Sequence, residues 1–268
     1  MIEYARMAGN DIICKPTLDT FVRFGIVLAA FFGFGLYFFY DGSIGFRRAN
    51  EVYCSYRAFA RLGAQAVEAY SAESWAEDRR TSPLLTTREE NGERVTTTDG
   101  HTYPLPRDCE AAHTCPPETH DLHAMSKSWN DCWLAYTSRR QFPATPGEHG
   151  YEASAIREQW YAGGACMVIS LLILGLMLRT ARRVMALRGD IVTAAGRNFR
   201  VSDITRLDLR QWGKGFKGIA YATVHGRKIR LDGMTYGGFD PKKGEPAERF
   251  MQQLQQQYSG EIIEYEQE

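Results

Sequence analysis

The chain has 268 residues, room for one large or two modest domains, and its 32 lysines and arginines balance 32 aspartates and glutamates. Zero formal charge argues against nucleic acid as a partner, which would demand a basic surplus or stripe. The apolar share is ordinary for a soluble protein, but much of it is concentrated in two blocks.

A short amino-terminal segment, residues 1–20, carries Arg6 and Lys15 against Glu3, Asp11 and Asp19. The first apolar block, 24–40, reads FGIVLAAFFGFGLYFFY without a charge. Extended back to Phe21 it reaches about 20 residues, the length that crosses a bilayer core. Arg23 can extend its guanidinium to the headgroups, and Tyr37 and Tyr40 form an interfacial belt at the other end. The run is longer than a signal-peptide core, and Asp41-Gly42-Ser43 lacks a small-x-small cleavage site, so 21–40 reads as an uncleaved membrane anchor. Gly25, Ala29 and Gly33 form a smooth strip suited to close helix packing.

Residues 41–158 form a soluble segment. After a turn at Asp41-Gly42-Ser43, apolar residues recur at three- and four-residue steps from Ile44 to Asp78, predicting a helix. Residues 79–125 lose this period and read as an irregular insertion, with a hairpin over 93–103 turning at Thr98-Asp99-Gly100. A second helix spans 126–140, with Trp129, Cys132, Trp133 and Tyr136 on one face. After a Pro143-to-Gly147 break a third starts near Tyr151 and runs into the second apolar block. That block, 159–178, opens with the belt residues Trp160 and Tyr161 and stops at Arg179, Arg182 and Arg183. By the positive-inside rule these arginines place the chain's end in the cytoplasm, and two spans return the amino terminus there. Arg47, Arg48 and Arg57, after the first span, weigh against this orientation.

Four cysteines, Cys54, Cys109, Cys115 and Cys132, fall in the outer segment, and Cys14 and Cys166 lie near or within the membrane. An even number in an oxidising compartment predicts two disulfides. Three pairings are open. The expected one closes a short Cys109–Cys115 loop and joins two helices through Cys54–Cys132, fastening a small helical domain. The run Cys109, His113, Cys115, His120, His123 has zinc-ligating residue types, but its spacing matches no knuckle or metalloprotease helix. No nucleophile elbow, phosphate loop or dinucleotide loop is present, so no catalytic residue, metal or cofactor is expected.

From Gly189 the text changes to short alternating runs: 190–194 and 198–201 around Gly196-Arg197, 204–211, and a hairpin of 218–224 with 227–231 across His225-Gly226. Pro246 opens a final helix with one apolar stripe: Ala247, Phe250, Met251, Leu254 and Tyr258. The stretch 190–258, including SDITRLDLRQWGKG and GRKIRLDG, resembles the bacterial pleckstrin-homology-like domains found beside transmembrane helices. That resemblance implies an antiparallel bent sheet of seven strands capped by a carboxyl-terminal helix, in the cytoplasmic segment 179–268. It implies no catalytic residues. Lipid binding in eukaryotic relatives uses a basic loop, for which Lys214 with Lys217, or Lys242 with Lys243, are candidates beside their simpler reading as solvated turns.

The expectation is thus an α+β protein of a bacterial inner membrane, with both termini cytoplasmic. It would act as a non-enzymatic scaffold or adaptor coupling an extracytoplasmic interaction domain to a cytoplasmic domain. Trp212 and neighbouring strand edges would contact another membrane or cytoplasmic protein, lipids would surround the spans, and the chain could self-associate. The alternatives are a membrane enzyme using Asp108, Glu110, His113 and His120, an anionic-lipid module using Lys214 and Lys217, and a subunit of a transport complex.

Overall fold

The computed structural model describes residues 11–68, 83–109, 122–213 and 217–264. In chain order the elements are β1 (Ile12–Cys14), α1 (Leu18–Tyr40), a π-helical turn (Asp41–Gly45), α2 (Phe46–Glu68), β2 (Arg88–Glu90), β3 (Glu93–Thr98), β4 (His101–Pro104), α3 (Leu122–Arg140) and α4 (Ala153–Ala181). There follow β5 (Met185–Arg188), β6 (Ile191–Ala194), β7 (Arg197–Arg200), β8 (Ile204–Gln211), β9 (Ile219–Val224), β10 (Arg227–Asp232), α5 (Pro246–Gln257) and β11 (Glu261–Ile263). The chain divides into two compact units, Phe32–Met167 and Met1–Phe31 with Val168–Glu268.

Among the described residues two helices are long and apolar enough to cross a membrane, one within Leu18–Leu62 and the other Ala153–Ala181. Only 6% and 11% of their most apolar stretches are buried by the protein itself. A core helix of a soluble protein would be covered by its own chain, and these are not.

In the unit Phe32–Met167 no turn follows the first apolar block. The helix passes through Asp41–Gly45 with π hydrogen bonding and continues as α2. Ser43 Oγ donates to the Phe39 carbonyl at 2.6 Å, answering an acceptor that the widened turn loosens. In the strip Gly25, Ala29, Gly33 a Cβ on Gly25 or Gly33 would meet nothing of this chain within 4 Å. The close contacts are made instead at Gly35 against Met167, Gly42 against Trp160, and Gly163 against Phe39.

Within residues 41–158 a three-stranded sheet stands beside the helices. The sheet has the order β2-β3-β4, and the predicted hairpin forms with Asp99 and Gly100 both at positive φ, the backbone twist a two-residue antiparallel turn requires. The core of this segment gathers Phe59, Leu62, Leu84, Leu85, Tyr103, Leu105, Trp129 and Trp133. Trp129 Nε1 donates to the Phe59 carbonyl at 3.1 Å, which ties α3 to α2.

The expected disulfide pairings do not form. Cys54 and Cys109 are free buried thiols, so neither Cys54–Cys132 nor Cys109–Cys115 forms, and no disulfide joins two described cysteines. Cys132 is not a free thiol, and Cys115 lies outside the described residues. The pattern of even cysteine number could not foresee that two of them are needed as small apolar fillers in the core.

The other unit holds two four-stranded sheets, β1-β5-β6-β7 and β10-β9-β8-β11. All pairings are antiparallel except β8 with β11. Among the described residues no sheet closes into a barrel, and the single bent sheet of seven strands that the pleckstrin-homology-like resemblance implies is not formed. β8 shifts register against β9 after Ile204 and again after Asp208, and the two sheets remain separate hydrogen-bonded sets. The β6–β7 turn is Ala195-Gly196, one residue earlier than expected. α5 lies against β1 and β5, and Ala247, Phe250, Met251 and Leu254 are buried with Leu187, Leu207 and Leu231.

Cys14 is fully buried in this core, its thiol donating to the Pro246 carbonyl at 3.4 Å. Around it the chain before α1 is stitched to the chain after α4. β1 pairs with β5, Gly237 donates to the Lys15 carbonyl at 2.8 Å, and Thr17 donates to the Thr235 carbonyl at 2.9 Å.

Phe250 is fully buried at the centre of this core. Phe250→Ala is expected to cost about 3–5 kcal/mol, seen as a lower urea midpoint for this unit in the detergent-solubilised full chain.

Candidate functional site

The sequence-derived candidates are dispersed. Trp212 is 9% exposed and belongs to the core: its ring meets Phe239 edge-on at 5.5 Å, and a Cβ on Gly233 would clash with it. It is therefore not displayed to a partner. Lys217 is exposed, and Lys214 lies outside the described residues. Arg179 and Arg182 are exposed at the end of α4, whereas Arg183 is half-buried with its guanidinium against Gly196. Asp108 is exposed and accepts from Arg48 at 2.9 Å. Glu110, His113, Cys115 and His120 lie outside the described residues. Among the described residues no group of three His, Cys, Asp or Glu side chains is placed to hold a metal ion.

Two arrangements not foreseen from the sequence stand out in the unit Phe32–Met167. The first is a buried polar network on α2. Asn50 donates from Nδ2 to the carbonyls of Pro104 and Tyr151, both at 2.8 Å, and accepts from the Tyr151 amide at 2.7 Å. It thereby joins α2 to the end of β4 and to the entry of α4. Beside it Glu51, fully buried, accepts from Arg140 at 2.5 Å.

Burial raises the Glu51 carboxyl above the usual carboxylate range, opposed by the hydrogen bond and charge of Arg140. The Cys109 thiol sits beside this carboxylate and is pushed up to about 12 by burial first and then by the charge of Glu51. Burial likewise pushes Cys54 up to about 12, with Thr98 beside it. Thiols held protonated in this way are poor nucleophiles and poor metal ligands. The network locks helices and sheet together.

The second arrangement is a cleft of about 500 Å³ where α1 gives way to α2. Four arginines line it: Arg47 and Arg48 from the start of α2, Arg94 from β3, and Arg107 from the chain after β4. Two carboxylates face them. Glu93 pairs with Arg47 at 2.5 Å, and Asp108 pairs with Arg48. Arg94 donates to the Cys109 carbonyl at 2.6 Å, and among the described residues Arg107 makes no ion pair. The remaining wall is apolar, with Ile44, Leu105 and Trp160. A guanidinium-rich rim over an apolar wall suits a ligand with an anionic head and an oily body. These four arginines come from three separate stretches of chain, and no short motif could have assembled them.

Comparison of the chain with family models, with curated proteins and with solved structures gives no match.

Two outcomes test the network. Arg140→Ala, which strands a buried carboxylate, should cost about 3–5 kcal/mol. Arg57→Ala, which breaks an exposed pair with Asp99, should leave the urea midpoint unchanged. For the thiols, a displacement to about 12 lowers the thiolate population at pH 8 roughly a thousandfold, so Cys54 and Cys109 should resist alkylation until urea unfolds the chain. The folded state holds both protons more tightly than the unfolded chain. Stability should therefore fall as pH climbs from the ordinary thiol range towards 12.

Proposed function

We propose that the chain is a non-enzymatic scaffold of a bacterial inner membrane, crossing it twice and presenting one folded domain to each side. The observation that carries this reading is the ladder between β1 and β5. It bonds Ile12, Ile13 and Cys14, which precede the first apolar helix, to Leu187, Ala186 and Met185, which follow the second. A bilayer core supplies no partners for a strand and cannot pass through a β ladder, so both ends of the helical pair belong on one face. If α1 and α4 cross, residues 41–152 emerge on the opposite face.

Orientation follows from charge. Among the described residues Arg179, Arg182 and Arg183 make no ion pair, and they favour the cytoplasm for the termini. Arg47, Arg48 and Arg57 weigh against this, but each meets a carboxylate, from Glu93, Asp108 and Asp99 respectively. An adaptor role fits two separately cored units whose ionisable clusters are structural. Its contact surface would be the exposed strand edges and Lys217, since Trp212 is buried.

The test is topological. In sealed spheroplasts an impermeant maleimide should label a cysteine introduced at exposed Thr97 and spare one at Lys228, and Arg182→Glu with Arg183→Glu should disturb that pattern. Equal labelling of the two positions in intact cells would remove the two-span reading. For the adaptor role, photocrosslinkers at Arg57 and Lys217 should each trap a discrete protein partner in the native membrane, and no adduct from either position would remove it.

A further inference from the structure

From the arginine-lined cleft we infer that the protein binds the phosphate headgroup of an anionic phospholipid in the leaflet facing residues 41–152. The inference rests on the two-span reading and adds to it a ligand, a site and the residues that hold it.

Three observations converge on this class of ligand. The first is charge. Arg47, Arg48, Arg94 and Arg107 face one cavity against only Glu93 and Asp108, and guanidinium groups are the side chains best shaped to grip phosphate oxygens in pairs. Arg48 and Arg107 are exposed, and Arg107 has no ion-pair partner among the described residues, so donors are free to turn towards an incoming anion.

The second is depth. The cleft begins at Ser43 and Ile44, within the π-helical turn that directly follows the last residue of α1. Because the helix continues without a break into α2, Arg47 lies seven helical steps beyond Tyr40, or about 10 Å along the axis. The polar layer on each side of a bilayer core is roughly 5–8 Å deep. Arginine side chains reaching back along the helix would therefore sit among the headgroup phosphates. Exposed Tyr37, Tyr40, Trp160 and Tyr161 mark the same level as an aromatic belt.

The third is shape. Trp160 belongs both to that belt and to the cleft wall, with Ile44 and Leu105 beside it. A free inorganic phosphate would have no use for this apolar side. The glycerol and upper acyl carbons of a phospholipid would cover it. The π turn contributes directly: a Cβ on Gly42 would come within 3.0 Å of the Trp160 indole nitrogen, so this glycine lets the ring take its place at the cleft.

The experiment uses the full chain in nanodiscs of phosphatidylcholine carrying a trace of fluorescent phosphatidylglycerol, with energy transfer from protein tryptophan as the signal. Unlabelled phosphatidylglycerol should compete with the probe, and unlabelled phosphatidylcholine should not. Arg48→Gln with Arg107→Gln should weaken binding of the probe roughly 30-fold, the effect of removing two cations from beside an anionic headgroup. Arg57→Gln, an exposed arginine outside the cleft, should bind like the parent. Unchanged thermal unfolding of the double variant would show that the weaker binding is not a failure of folding. A double variant that binds like the parent overturns the proposal. Displacement of the probe by millimolar inorganic phosphate as effectively as by the lipid would mark a free-anion site and overturn it equally. Maleimide labelling of Thr97→Cys and Lys228→Cys in sealed spheroplasts separates the two readings. Absent lipid selectivity with Thr97→Cys labelled and Lys228→Cys spared removes the headgroup site alone, whereas equal labelling of the two removes the scaffold reading as well.

Discussion

Three residue pairs, Ile12 with Leu187, Ile13 with Ala186 and Cys14 with Met185, constrain the protein more than any other contact. They join segments that lie on either side of both apolar helices in the chain. The pairing is reinforced at every following position. Lys15 offers its carbonyl to Gly237, Pro16 bridges Tyr236, and Thr17 donates to Thr235. Gly237 sits at positive φ with its Cα against Cys14, so close an approach that a Cβ would fall 3.0 Å from the thiol. The amino-terminal segment is thus a structural strand of the carboxyl-terminal unit. The helical pair begins and ends at the same anchored point.

The unit Phe32–Met167 is held by a different device. Its apolar core is small, and the covalent fastening expected from its cysteines is absent between described residues. Asn50 and the Glu51–Arg140 pair take over the role of joining elements distant in sequence. Such groups are costly to bury and add less net stability than hydrocarbon of equal volume, but they tolerate few alternative partners. Asn50 commits three hydrogen bonds to two carbonyls and one amide at the entry of α4, which sets how α2 and α4 meet. The arginine cleft forms at this junction, because α2, β3 and the chain after β4 all converge there.

The π-helical turn links α1 to α2 without a break. A loop at this point would have freed α2 to pivot on α1. A continuous helix instead carries Arg47 and Arg48 to a set height above Tyr40, Arg47 against Glu93 of β3 and Arg48 against Asp108 after β4. The contacts of α1 with α4 in this unit follow the glycines that lie on the facing side, Gly35, Gly42 and Gly163, with Met167, Trp160 and Phe39 filling the space.

Local physics made much of the architecture legible in the sequence. The two apolar blocks, the hairpins turning at Asp99-Gly100 and His225-Gly226, and the stripe of α5 each depend on residues within a turn or two of one another. Periodicity and turn chemistry record such features directly. The short strands β1, β2, β5 and β11 are not legible there, because three or four residues carry no readable period and their stability comes from partners elsewhere in the chain. The expected single bent sheet gave way to two sheets for the same reason, since local strand patterns do not specify whether two sheets join. Cysteine number suggested oxidation, while burial made Cys54 and Cys109 core residues. Above all, no single stretch contains the site: Arg47, Arg94 and Arg107 become neighbours only when helix, strand and loop pack, and an unpatterned arginine looks like any other surface charge until its distant companions arrive.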